Sequence, residues 1–155
     1  MATALNLTAP LKQDAESQQR LQQLVAVFAD QVQPMIDAVL AKSEIVHFAR
    51  ILVIDNKYIQ VITEFDGSPE DYADFFRREL PSVFEEIFSL VEGAPPWSEL
   101  QNPDKFVEFS REVDLKSLGT SPGGEDDRGY LFSAFGDTTV REIKKLLDGQ
   151  SAVSA

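Results

Sequence analysis

The sequence contains no cysteine and a single histidine, His47. The first absence removes disulfides, thiolate nucleophiles and thiolate zinc sites, and it fits a reducing compartment. The second leaves no histidine pair to hold a metal, and no metal site is expected. Basic residues are scarce: 14 Lys and Arg stand against 26 Asp and Glu, a formal charge of −12. Phosphate backbones and anionic lipid surfaces repel such a chain, so neither nucleic acid nor a membrane is an expected partner. No unbroken apolar run approaches the roughly 18 residues of a membrane span. The first residues, Met1-Ala2-Thr3-Ala4-Leu5, lack the basic region of a secretory signal, and the expected location is the cytoplasm. There is no Walker loop, no nucleophile elbow and no Gly-x-Gly-x-x-Gly.

What is present suits one α+β domain. The chain has 155 residues, 43% of them hydrophobic and 26% charged, which is ordinary globular usage and long enough to bury a sizeable core. The expected organisation is a single domain over 1–148, an insertion at about 96–129 and a flexible tail at 149–155.

Residues 5–9 alternate weakly and suggest a first strand. Leu21, Leu24, Val25, Phe28, Val32, Met35, Ile36, Val39 and Leu40 recur at spacings of three and four, one stripe of a helix over about 15–42. Pro34 predicts a kink or break near Gln33. Two β-rich runs, 45–54 and 58–65, flank Asp55-Asn56-Lys57 and read as a hairpin. Ser68-Pro69 begins a second helix, expected to continue, kinked, through Pro81. A shorter helix follows Asn102-Pro103. Residues 117–129 read as a flexible loop with the acidic cluster Glu125-Asp126-Asp127. A buried strand is expected at 130–135 and a last helix at 138–148. This order is βαββαβ, a ferredoxin-like antiparallel sheet with helices on one face, a small helical insertion and an extra C-terminal helix.

Leu7-Thr8-Ala9-Pro10-Leu11-Lys12, Val46-His47-Phe48-Ala49-Arg50, Glu64-Phe65-Asp66-Gly67 and Phe135-Gly136-Asp137-Thr138-Thr139-Val140 carry a resemblance. Over about 5–92 and 130–147 they resemble a bacterial group, without an assigned activity, in the dimeric α/β-barrel superfamily. The resemblance implies two ferredoxin-like units packed sheet on sheet around a central cavity, here as a homodimer. The superfamily includes haem enzymes such as dye-decolorising peroxidases and chlorite dismutases, and also cofactor-free monooxygenases. The peroxidase pattern Gly-x-x-Asp-Gly is matched at Asp66 and Gly67, with Thr63 in place of the first glycine. Haem is thereby the cofactor the resemblance allows.

In the hairpin, a register pairing Ile54 with Tyr58 puts Ile45, His47, Ala49, Ile51, Val53, Ile59, Val61, Thr63 and Phe65 on one face, beneath the helices. Val46, Phe48, Arg50, Leu52, Ile54, Tyr58, Gln60, Ile62 and Glu64 share the other. His47 and Arg50 are the catalytic candidates; they fall on opposite faces unless a bulge intervenes. His47 reads either as a core histidine beside Phe65 or as an acid–base group. Arg50, Tyr58, Gln60, Glu64 and Asp66 are the ligand-binding candidates. Arg50 and Glu64 lie diagonally across the strands, as an ion pair or as polar anchors in an apolar cavity. Asp66-Gly67 reads as a turn or a strand-end site. Together these features suggest a small-molecule-binding or accessory module for an apolar or anionic ligand. The other reading is a haem peroxidase-like or cofactor-independent monooxygenase-like enzyme.

Overall fold

A computed structural model describes residues 2–120 and 129–154, with side chains described as far as Gln150. Three strands form one antiparallel sheet: β1 (Thr3–Pro10), β2 (Val46–Ile54) and β3 (Tyr58–Phe65), in the order β1-β3-β2. The hairpin closes where Asp55 and Asn56 both take positive φ, 53° and 54°, and the Lys57 amide donates to Ile54 O at 2.9 Å. Short polar side chains tolerate that conformation best after glycine. Ile54 pairs with Tyr58, as the alternation of apolar residues predicts.

That register separates two faces. Leu5, Leu7, Ala9, Ile59, Val61 and Phe65 are buried on one. Phe48, Arg50, Leu52, Ile54 and Tyr58 are exposed on the other. The buried face packs under α3 (Pro69–Glu79), α4 (Pro81–Ser89) and α6 (Pro103–Val113). Ser68 caps α3 in a reciprocal capping box with Asp71. The expected single kinked helix is two helices. Leu80 leaves helical geometry (φ −132°, ψ 46°) because the ring of Pro81 crowds the residue before it.

The long N-terminal helix does not break at its proline. α1 (Ala15–Val27), capped by Asp14, passes through a π turn at Phe28–Val32 into α2 (Gln33–Lys42). The wider turn lies immediately before Pro34, which has no amide to donate; the register shift absorbs the missing bond. By length and composition the 28 residues Ala15–Lys42 are enough to cross a membrane, although charged and amide residues interrupt every apolar run. Leu21 is buried, while Leu24, Val32, Ile36, Val39 and Leu40 are partly buried against the core.

The segment expected as an insertion is partly core. After the short α5 (Trp97–Leu100), α6 carries Phe106 into a chain of ring contacts with Phe84 and Phe88, both at 5.6 Å between centroids. Its end then supplies the free edge of β1. The Asn6 amide donates to Asp114 Oδ1 at 2.8 Å, and the Leu115 amide donates to Asn6 O at 2.9 Å. One antiparallel bridge, Leu7 to Asp114, marks the position.

Consequently the strand expected at 130–135 is not there: these residues form irregular chain, and Phe132 and Phe135 are exposed. The sheet has three strands among the described residues, so the architecture is α+β with a three-stranded antiparallel sheet. The chain re-enters at Gly129, where a Cβ would lie 1.9 Å from Ser117 O; only glycine permits that crossing. The acidic cluster at 125–127 lies outside the described residues. The last helix, α7, spans Val140–Ser154 and so continues past 148, where a flexible tail was expected. Gly149 weakens a helix without ending one.

Candidate functional site

The site begins with an irregularity in β2. Val46 pairs with Phe65 and Phe48 with Glu64, so His47 is a bulged residue between them. The regular alternation that would place His47 in the core beside Phe65 and Val46 on the open face is broken there, and Val46 is the buried residue instead. Its Nε2 instead lies 2.8 Å from Asp66 Oδ1, with the two side chains only 13% and 15% exposed. A carboxylate accepts, so Nε2 carries the proton; Nδ1 has no partner among the described residues.

Asp66 has a second function. Its Oδ2 accepts the Val140 amide at 2.8 Å, the first helical amide of α7. A carboxylate at a helix N-terminus satisfies a donor that the helix cannot. Thr139 and Glu142 complete the start of α7. The Thr139 amide donates to Glu142 Oε2 at 2.8 Å, and the Glu142 amide donates to Thr139 Oγ1 at 3.2 Å. The Thr139 amide, then its hydroxyl, holds the Glu142 carboxyl below the usual carboxylate range. Arg141 pairs with Glu44 at 2.8 Å, and Lys144 Nζ donates to Ala41 O at 2.9 Å and to Ser43 O at 2.5 Å. α7 is therefore docked mainly by polar contacts at its beginning, with Leu146 and Leu147 exposed.

Between the bulge, the open sheet face and the chain leading into α7 lies a cavity of about 380 Å³. His47, Phe48 and Glu64 form its sheet wall; Tyr130, Phe135 and Asp137 stand opposite. A second cavity, about 160 Å³, opens between the π turn, α4 and the helix-covered side of the sheet.

The sequence candidates separate. His47 and Glu64 line the larger cavity, with Asp66 behind His47. Arg50 does not line the larger cavity; from the edge strand β2 it borders the smaller one, so the two catalytic candidates do not share a site even though the bulge intervenes. Arg50 pairs across the strands with Ile62, and no Arg50–Glu64 ion pair forms within the chain; neither side chain has a partner among the described residues. Tyr58 and Gln60 lie towards the other end of β3, where Gln60 Nε2 donates to Thr8 Oγ1 at 3.0 Å. They line neither cavity.

The residues do not fit a haem ligand. His47 is the sole histidine, its Nε2 is held by Asp66, and Nδ1 sits next to Cβ, where the residue's own backbone crowds a large planar group. Compared with known proteins, the chain matches no family, no curated protein and no solved structure.

Sequence reasoning missed the far wall, Tyr130, Phe132, Phe135 and Asp137. The available signal is the aromatic run itself, whose apolar content suggests a buried strand. Phe135 and Phe132 are 73% and 83% exposed.

Proposed function

We propose that the chain is a small-molecule-binding or accessory module whose ligand occupies the cavity beside His47. The observation that carries this reading is His47, nearly buried and held by Asp66, in the wall of a cavity of about 380 Å³. That size lies within the range of small-molecule sites, roughly 300–1,000 Å³, and such sites combine apolar walls with a few fixed polar groups. Binding is favoured over catalysis because no nucleophile is hydrogen-bonded to His47 among the described residues. A cofactor-independent, monooxygenase-like reaction would have one candidate base, Nδ1 of His47, and nothing else assembled around it.

The same reading extends to assembly. The strand order β1-β3-β2, with the bridge at Asp114 on the edge of β1, supports the ferredoxin-like reading. Phe48, Leu52, Ile54 and Tyr58 leave an apolar patch on the uncovered face, which is unusual on a monomer. A second copy packed sheet on sheet, in the manner of a dimeric α/β barrel, covers it. The absence of cysteine and the acidic charge favour a cytoplasmic setting.

Amide chemical shifts read during a titration with a library of small aromatic and aliphatic fragments test the reading. Fragments are expected to move the amides of Ala2, Phe48 and Gly136 together, and Phe48→Ala is expected to weaken them. Shifts confined to the smaller cavity, or no shifts at all, would overturn it. Sedimentation at micromolar concentration is expected to show a dimer; monomer alone would refute the assembly.

A further inference from the structure

The cavity beside His47 has a charge pattern of its own. No Lys or Arg lines it. Asp66 is already engaged, with His47 on one oxygen and the Val140 amide on the other. Two further carboxylates, Glu64 and Asp137, line the same space and have no hydrogen bond or ion pair among the described residues. An anionic ligand would meet both, and a neutral apolar ligand would use neither.

The remaining wall is aromatic. Phe48 stands directly across from Glu64 in the strand register, which places a ring beside a carboxylate. Tyr130 and Phe132 meet edge to face at 4.8 Å and 79°, and Phe135 lines the opposite side. Ring faces carry negative potential and attract weakly hydrated cations. Carboxylates and ring faces thus favour the same sign of charge. A bare metal ion is not served: no group of three His, Asp or Glu side chains capable of holding one exists among the described residues.

We infer that the cavity takes an organic cation, an alkylated amine or quaternary ammonium group, with Glu64 and Asp137 supplying the countercharge and Phe48, Tyr130, Phe132 and Phe135 the aromatic wall. The inference rests on the proposed ligand site and specifies its ligand class. Phe48 and Phe135, largely exposed without a ligand, are then partly covered by the alkyl groups of the cation.

The test titrates the full chain with choline and, separately, with 3,3-dimethylbutan-1-ol, which has the same shape without the charge. Choline is expected to shift the Phe48 and Gly136 amides and to bind at least about tenfold more tightly than the alcohol. Glu64→Gln is expected to remove about tenfold of choline affinity while leaving the alcohol unchanged. Phe48→Leu is expected to weaken choline more than the alcohol. Equal binding of the two probes overturns the cation inference and leaves the cavity a ligand site. So does binding of apolar fragments without choline. Failure of every fragment and of choline at these amides overturns both.

Discussion

Asp66 joins two parts of the chain that are far apart in sequence: one oxygen holds His47 at 2.8 Å, and the other holds the first amide of α7. The histidine of the candidate site and the docking of the last helix therefore depend on the same carboxylate. Replacing it tests that dependence. Asp66→Ala removes a charge-assisted hydrogen bond to each partner, each worth roughly 1.5–3 kcal/mol. Unfolding by urea is expected to show a loss of about 3 kcal/mol or more. Hydrogen exchange of the Val140 amide is expected to accelerate more than that of the hairpin amides. Unchanged protection at Val140 would show that Asp66 does not dock α7.

Arg50 and Glu64 make the opposite case. Both sit on the open face, and neither finds the other. Arg50→Met and Glu64→Gln are each expected to change monomer stability by no more than about 0.5 kcal/mol, as exposed substitutions usually do. The double variant should be additive within about 0.5 kcal/mol. A double-mutant cycle with a coupling above about 1 kcal/mol would reveal a contact that the present register does not contain.

Phe106 is a test of what the inserted helix contributes. It is 1% exposed and lies against the rings of Phe84 and Phe88. Phe106→Ala is expected to destabilise by about 3–5 kcal/mol, since burial is lost and a cavity remains. A dispensable insertion would lose less than about 1 kcal/mol in the same denaturant titration.

The start of α7 has a predictable acid response. Glu142 titrates below its ordinary 4.5 because the Thr139 amide and hydroxyl hold its ionised form. Its folded value is depressed, so its stabilising contribution is fully present above 4.5 and is lost as the pH falls through the lower folded value. Exchange at the Thr139 and Glu142 amides is therefore expected to accelerate on acidification within that window, after correction for intrinsic rates. Glu142→Gln should remove this pH dependence; if the wild-type profile survives the substitution, another carboxylate is responsible.

The hairpin was legible in the sequence. Its β-rich runs and the Asp55-Asn56 turn act over a few residues, and Ile54 pairs with Tyr58 as their alternation implies. The same holds for the capped start of α3 at Ser68-Pro69 and for α6 after Asn102, where the cap and proline chemistry is local. The register also separated the apolar face under the helices from the open one. It misplaced His47 and Val46 because a single bulge reverses the alternation from that point towards the start of the strand, and no local residue type announces it. Pro81 was visible, but whether a proline kinks a helix or divides it depends on what the neighbouring turn packs against.

Tertiary structure decided the rest. The edge of β1 is taken by Asp114 rather than by a strand from 130–135, through a contact spanning 108 positions. The link from Asp66 to Val140 spans 74. Periodicity and turn chemistry constrain neighbours in the chain, and they specify faces and boundaries. Which edge a distant segment satisfies, and which carboxylate caps which helix, are settled by unpaired backbone groups meeting partners in three dimensions. The cavity beside His47 exists only because those long-range choices bring the chain before α7 across the open face of the sheet.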